Sequence, residues 1–158
     1  MTDTKLRRDK LPTGWEIKKL GEVMSIERGG SPRPIEKYLT NSLDGINWIK
    51  ISDATASDKY IFETKEKITL DGLHKTRVVN EGDFILSNSM SFGRPYIMKT
   101  TGCIHDGWLV LKQNGKKIFE TEFLYYLLSS QVVYKQFNLL AAGSTVRNLN
   151  IALVSSVT

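Results

Sequence analysis

The chain has 158 residues, enough for one domain with a substantial core, and its 41% hydrophobic and 25% charged residues are typical of a globular protein. A single cysteine, Cys103, excludes an internal disulfide and favours a reducing compartment, and no apolar run reaches the roughly 20 residues that a transmembrane helix needs. The N-terminus is polar and charged, unlike a signal peptide, so we expect a cytoplasmic protein with no membrane partner.

The net charge of +5 permits an anionic partner. Residues 1–10 hold four basic and two acidic side chains, so this stretch, predicted to be a basic flexible tail, contributes +2. The predicted domain, residues 11–158, therefore carries the remaining +3. A charge of this size does not establish nucleic-acid binding by itself.

The first half of the chain predicts strands separated by short connections. Residues 17–30 read as a short turn that leads into a strand ending at a pair of glycines. The stretch GINWIKISDA, residues 45–54, is predicted as a strand because it is rich in β-branched and aromatic residues. Residues 68–79 are predicted as a short helix that Gly72 weakens in the middle.

The second half begins with apolar segments of strand length and ends in helices. Residues 84–86 form a predicted buried strand, and residues 95–115 are predicted as two further strands. The apolar spacing then becomes helical, and we expect one helix with its N-cap at Thr121 and its end at Gly143. A second short helical stretch covers residues 150–157. The predicted class is α+β, with a mixed or antiparallel sheet and a few helices.

Polar loops follow most of the predicted elements, and they read RGGSPRP, KISDA, SNSMSFGRP, HDGW and AGSTVRNLN. Three of them place an arginine near glycine or serine, namely Arg33, Arg94 and Arg147. Arginine, asparagine and serine are side chains that contact base edges and phosphate oxygens in duplex DNA. Solvated loops also need polar residues, so the loops alone leave both interpretations open.

The segment RGGSPRP, residues 28–34, combines the most permissive and the most restrictive residues. Its two glycines can take positive φ and let another molecule approach the backbone. Pro32 fixes its own φ, and Pro34 disfavours the helical conformation for Arg33, so the arginine has little backbone entropy to lose on binding. An ordinary turn between strands would use the same residue types.

The sequence offers little for catalysis. His74 and His105 lie 31 residues apart without nearby cysteine or clustered carboxylates, which speaks against a zinc site. We interpret His105 and Asp106 as part of a hairpin turn rather than as a general base with its orienting group. No catalytic residue and no metal ligand is predicted.

One alternative function, that of a metal-dependent nuclease, has weak support in the sequence. Glu63 and Lys65, with Asp53 or Asp58 upstream, weakly imitate the carboxylates and lysine of a metal-dependent nuclease. A second alternative is a module that binds RNA or another protein.

The stretch LPTGWEIKKLGEVMSIERGGSPRP, residues 11–34, resembles the opening of a target recognition domain from the specificity subunit of type I restriction–modification systems. The resemblance continues in the family's order through GINWIKISDA, VVNEGDFILSNSMSFGRPYI, GCIHDGWLVL, FLYYLLSS and GSTVRNLNIALVSSV. It covers nearly all of residues 11–157. Each piece alone is unspecific, but the ordered set is specific.

The resemblance implies a non-catalytic reader of double-stranded DNA. In the family, two such domains in one subunit each read half of a bipartite target in the major groove, and long helices between them dock the methyltransferase subunits. S-adenosylmethionine, ATP and Mg would belong to the methyltransferase and restriction (motor) subunits, so no cofactor is expected here. By motif position, the candidate DNA-binding residues are Ser31, Arg33, Lys50, Ser52, Asn88, Ser89, Arg94, His105, Ser144, Arg147 and Asn148.

The sequence also departs from the full family pattern. It contains one recognition domain and no spacer helix, whereas family members usually continue past the position of Val157 into a proline-rich segment and a long helix. We therefore expect an excised recognition domain or a truncated subunit.

Overall fold

The computed structural model describes residues 11–88, 93–113, 115–143 and 149–158, so the predicted tail lies outside the described residues. The α-helices are α1 (Leu20–Val23), α2 (Ile51–Ser57), α3 (Thr121–Leu128), α4 (Gln131–Ala142) and α5 (Ile151–Ser155). The strands are β1 (Met24–Arg28), β2 (Leu39–Thr40), β3 (Ile46–Ile49), β4 (Tyr60–Ile61), β5 (Glu66–Ile68), β6 (Arg77–Val79), β7 (Phe84–Ser87), β8 (Pro95–Met98), β9 (Gly102–Ile104) and β10 (Trp108–Gln113). Short 3-10 helices cover Ile35–Lys37 and Leu70–Lys75.

The strands form two five-stranded sheets. The first sheet has the order β1-β10-β7-β8-β4, and the second has the order β2-β5-β3-β9-β6. Each sheet is antiparallel except for one parallel pair, β4 with β8 in the first and β3 with β9 in the second. The sheets are therefore mixed, and the predicted α+β class is confirmed.

The central strands of the first sheet are apolar on both faces because both faces are covered. Along β7, Phe84 and Leu86 point into a core shared with the helices, whereas Ile85 points into a core shared with the second sheet. Along β10, Leu109 and Val110 alternate between the same two cores. A strand with two buried faces reads as a continuous apolar run, which explains why these segments were recognisable.

The helical region consists of two helices rather than the single predicted one. The helical conformation is interrupted at Ser129 and Ser130. The Ser130 hydroxyl then caps α4 by accepting a hydrogen bond from the backbone N–H of Val133 at 3.4 Å. Thr121 is the first helical residue of α3, whereas Glu120 occupies the N-cap position. Gly143 follows α4 as predicted. No helix within the described residues is long and apolar enough to span a membrane.

Two further segments differ from the sequence prediction. The predicted strand 45–54 stops at Ile49, and Ile51 starts α2, because the Asp53 carboxylate accepts a hydrogen bond from the backbone N–H of Lys50 and so caps a helix. The predicted helix 68–79 is a 3-10 helix between two short strands. Residues 95–115 hold three strands rather than two, because the chain crosses between the sheets on either side of β9.

Candidate nucleic-acid interface

The turn from His105 to Gly107 carries the chain from β9 in the second sheet to β10 in the first. It is closed by a 3.1 Å hydrogen bond from the backbone N–H of Trp108 to the carbonyl of His105. The HDGW segment is therefore a turn, as predicted, but it joins two sheets rather than two strands of one hairpin. Side chains on this turn lie at the junction of the sheets.

The RGGSPRP loop, residues 28–34, packs against this turn through its glycines. The backbone N–H of Gly29 donates to the carbonyl of Trp108 at 3.0 Å, and that of Gly30 donates to the carbonyl of Ile104 at 3.1 Å. A Cβ on Gly29 would lie 2.1 Å from the carbonyl oxygen of His105, and one on Gly30 would lie 2.6 Å from that of Lys75. Neither distance can accommodate a side chain.

These distances correct the expectation for the two glycines. Among the described glycines, positive φ occurs at Gly14, Gly82, Gly93 and Gly115, so Gly29 and Gly30 do not need that freedom. Both glycines are required because the protein's own backbone comes close to them.

The proline part of the loop is anchored as well. Pro32 is buried, and its ring lies 3.3 Å from the position that a Cβ on Gly72 would take. Arg33 follows on the exposed side, with 79% of its side chain accessible, and the Arg33–Pro34 peptide bond is cis. The loop thus fixes the backbone at Arg33 and leaves the guanidinium exposed to solvent.

Asp106 lies beside Arg33 and joins the loop to the turn. One oxygen of its carboxylate accepts a 2.9 Å hydrogen bond from the hydroxyl of Ser31, and the other lies 3.5 Å from the Arg33 guanidinium. The Ser31 hydrogen bond is the main cause that lowers the pKa of Asp106 below its usual value, and the Arg33 charge contributes in the same direction. The carboxylate is therefore ionised at neutral pH.

His105 is neutral and has a defined tautomer. Its Nδ1 accepts a 2.9 Å hydrogen bond from the backbone N–H of Gly107, which leaves the proton on Nε2. The ring packs at centroid distances of 5.9 Å from Trp48 and 6.1 Å from Trp108. Burial lowers the pKa of His105, the positive charge of Lys50 lowers it further, and Asp106 only partly opposes them. The site thus gains a neutral N–H donor.

The start of α2 forms the opposite wall. Lys50 precedes the helix and pairs with Glu66 at 3.3 Å, while Ser52 is exposed in its first turn. Asp53 fixes this end of the helix, because its carboxylate accepts from the backbone N–H of Lys50 at 2.9 Å and from that of Lys65 at 3.1 Å.

Together these elements surround a cavity of about 910 Å³. Apolar and charged residues both line it, and these are Ser31, Pro32, Arg33, Pro34, Ile35, Glu36, Trp48, Lys50, Ile51, Ser52, His105 and Asp106. Its two positive side chains, Arg33 and Lys50, are matched by two negative ones, Glu36 and Asp106. The cavity is therefore balanced in charge. Its hydrogen-bond donors and acceptors lie beside apolar side chains.

Five of the predicted site residues meet at this cavity, namely Ser31, Arg33, Lys50, Ser52 and His105. Two described candidates do not. Asn88 is only 2% exposed, and its side-chain amide donates to the backbone carbonyl of Asp106 at 2.8 Å. It therefore stabilises the turn from the protein interior. Arg94 pairs with Asp58 and lies over the Tyr96 ring at 5.5 Å. The remaining candidates, Ser89, Ser144, Arg147 and Asn148, lie outside the described residues.

Asp106 is the residue linking the loop to the turn, and the candidate set lacked it. The HDGW motif pointed to this turn, but a carboxylate in a basic chain reads as a turn residue rather than as a ligand contact. Its partners Ser31 and Arg33 lie more than 70 residues away in sequence, so only the fold reveals the cluster.

Two of the carboxylates suggested for a nuclease, Asp53 and Asp58, take part in structural contacts, whereas Glu63 lies with Asp53 and Lys65 along a second cavity. Asp53 caps α2, and Asp58 pairs with Arg94. Within the part of the chain that the structure describes, no three His, Cys, Asp or Glu residues are grouped as a metal site would require.

Comparison with known proteins identifies a matching family. The family described as "Type I restriction modification DNA specificity domain" matches residues 12–158. The chain is 29% identical over 143 residues to the type I restriction enzyme MjaVIII specificity subunit of Methanocaldococcus jannaschii, an alignment that covers 85% of this chain and 32% of that protein.

Solved structures share the fold. The HsdS subunit from Thermoanaerobacter tengcongensis has a TM-score of 0.71 at 20% identity, covering 93% of this chain and 33% of that one. A chain from work on complex assembly and conformational transition of the type I R-M system has a TM-score of 0.72 at 22% identity, covering 93% and 34%. The S subunit from M. genitalium has a TM-score of 0.59 at 13% identity, covering 87% and 32%.

The chain spans about a third of the length of each of these relatives. Its match to the family extends over almost its whole length. The family resemblance inferred from the ordered motifs is therefore confirmed, and the chain belongs to the type I restriction–modification DNA specificity domains.

Proposed function

We propose that this chain recognises one half of a bipartite double-stranded DNA target, in the major groove, and gives a type I restriction–modification complex its sequence specificity. The observation that carries the proposal is the charge-balanced cavity, with the exposed Arg33 guanidinium beside the Asp106 carboxylate. Family membership supports the same function. The domain binds and does not catalyse.

The chemistry of the cavity favours base edges over phosphate. A phosphate site is built from cations and backbone N–H groups, and an ionised carboxylate would repel the ligand. Base edges in the major groove instead present donors and acceptors side by side. Arg33, neutral His105 and Asp106 offer the matching mixture of donors and an acceptor.

The partners of the chain follow from the same proposal. We infer that it assembles, as part of a specificity subunit, with methyltransferase subunits and through them with the restriction (motor) subunit. S-adenosylmethionine, ATP and Mg would then be bound by those partners, and this domain would need no cofactor of its own. Its place of action would be the cytoplasm, where the buried free thiol of Cys103 is kept reduced.

Competition binding separates this function from its rivals. A labelled duplex bound by the full chain should be displaced by unlabelled duplex DNA but much less by RNA of the same sequence. Incubation with plasmid and Mg²⁺ or Mn²⁺ should leave the plasmid intact. Equal displacement by RNA would favour an RNA-binding module, whereas cleavage that disappears in Glu63→Ala would establish the nuclease.

A further inference from the structure

The carboxylate of Asp106 has acceptor capacity that the protein does not use up. An ionised carboxylate offers about four acceptor positions. Within the described residues, one oxygen takes the Ser31 hydrogen bond at 2.9 Å, the other takes the long contact with Arg33 at 3.5 Å, and the carboxylate also interacts with its own backbone N–H. The side chain is 49% exposed, so a ligand can reach the remaining acceptor positions.

This acceptor is held in place by its own backbone. The carbonyl of Asp106 accepts hydrogen bonds from Arg28 Nε at 2.9 Å and from the buried Asn88 amide at 2.8 Å. The Ser31 hydroxyl fixes the carboxylate itself. A group fixed in this way loses little entropy when a ligand binds, so its hydrogen bonds contribute fully to specificity.

The Arg33 guanidinium is less tightly held than its partner. Its contact with Asp106 is a single long ion pair between exposed groups, and such a pair contributes little to stability. The arginine can therefore turn its donors towards a ligand while the carboxylate stays in place. The result is a donor and an acceptor next to each other at the rim of one cavity.

We propose that Arg33 and Asp106 together read a single G·C base pair, with the arginine donating to guanine O6 and N7 and the carboxylate accepting from the N4 amino group of the paired cytosine. This inference rests on the proposed function. In the major groove, G·C is the pair that sets two neighbouring acceptors beside an amino donor in this order. The reversed pair would place the amino group against the arginine, and A·T would oppose the arginine with the adenine amino group or the thymine methyl group.

The proposal predicts a specific loss of discrimination. A well-made contact of this kind discriminates by about 1–3 kcal/mol, which is roughly 5- to 150-fold in affinity. Asp106→Asn removes the charge and gives the side chain a donor, so the penalty for replacing that G·C pair should fall by up to this factor. Arg33→Ala should lower the penalty at the same base pair.

The experiment uses the full chain and duplexes that carry each single base-pair substitution of a sequence selected from random DNA. Wild type, Asp106→Asn, Arg33→Ala and the control Asp44→Asn are compared. The control changes an exposed carboxylate that does not line the cavity. Thermal unfolding shows whether each variant is folded.

A second measurement needs no variant. The cytosine of the assigned pair is replaced by an analogue without the N4 amino group, or the guanine by 7-deazaguanine, and wild-type affinity should fall with either. The inference is supported if both variants relax one shared G·C position and the control relaxes none. It is overturned, with DNA recognition still standing, if wild type selects a sequence but the variants relax different positions or none, or if both analogues bind normally. If wild type selects no sequence, the proposed function and the inference both fall.

Discussion

The hydroxyl of Ser31 donates a 2.9 Å hydrogen bond to the carboxylate of Asp106, 75 residues further along the chain. This bond joins the RGGSPRP loop to the turn between the two sheets. It orders the acceptor–donor pair that Asp106 and Arg33 form at the rim of the cavity. The proposed reading of DNA depends on this connection.

Removing the Ser31 hydroxyl should raise the pKa of Asp106 towards its ordinary value of 3.8. The folded pKa is depressed, so this contribution to stability is present above the unfolded pKa and is lost as the pH falls through the folded one. Ser31→Ala should therefore lower the free energy of unfolding at neutral pH, and the difference from wild type should vanish at lower pH. NMR titration of the Asp106 carboxyl carbon measures the shift directly.

Ser57→Ala is the matched control, because the Ser57 hydroxyl donates to a backbone carbonyl within α2. It should leave the titration of Asp106 unchanged. An unchanged Asp106 pKa in Ser31→Ala would show that the hydrogen bond does not hold the carboxylate.

Gly30→Val should destabilise the fold by about 1–3 kcal/mol, because its Cβ would lie 2.6 Å from the carbonyl oxygen of Lys75 and the backbone must move. Chemical denaturation measures the loss. Gly143→Ala is the control, since a Cβ there comes no closer than 3.6 Å to its surroundings. A Gly30→Val protein that is as stable as wild type would contradict this packing role. It would favour the expectation that Gly30 lets a ligand approach the backbone.

His105 should make the protein less stable as the solution becomes acidic. Burial lowers the pKa of His105 below the 6.5 of the unfolded chain, so the unfolded state binds the proton more readily. The stability linked to His105 is complete above pH 6.5 and is lost as the pH falls below it. Protonation would also break the hydrogen bond from Gly107.

The melting temperature of wild type should therefore drop more between pH 7 and 5 than that of His105→Gln. His74→Gln, an exposed position on the 3-10 helix, should follow wild type. Parallel curves for wild type and His105→Gln would contradict the assignment of His105 as a neutral, half-buried side chain.

Sequence patterns predicted the parts of this fold that depend on interactions between residues close in the chain. The buried strand 84–86 was recognisable from its apolar run, and Gly143 from its position after a helical repeat. The helix after Ile49 was missed because its start depends on Asp53, whose carboxylate is shared between Lys50 and the distant Lys65. Strand order and the crossover at β9 depend on long-range pairing that no local pattern contains.

The candidate site also contains residues that local sequence indicates and residues whose roles depend on long-range contacts. Arg33 and His105 stood out because their loops were unusual in sequence, and both line the cavity. Asn88 was misjudged because polarity alone does not distinguish an exposed ligand contact from a buried amide that supports a turn. Asp106 was overlooked because its role comes from residues that only folding brings to it.

Arg33 and the N-terminal tail should affect DNA binding differently. Arg33→Ala should lower the preference for a cognate over a scrambled duplex by about 1–3 kcal/mol while leaving the affinity for scrambled DNA almost unchanged. Deleting residues 1–10 should weaken both equally and flatten the salt dependence by up to about 0.9 log units per lost phosphate contact. Affinities over a salt series measure both effects. Equal weakening of the two duplexes by Arg33→Ala would make Arg33 a phosphate contact.

The central claim is that this domain recognises a DNA sequence, and selection from random duplexes tests it most directly. The full chain, alone and together with the methyltransferase subunits of its system, is incubated with the random pool, and the bound duplexes are recovered and sequenced. The account predicts enrichment of one short motif that persists in the presence of excess RNA and becomes one half of the longer motif selected by the complex. Recovery of duplexes with no common motif, in both forms of the experiment, would contradict it.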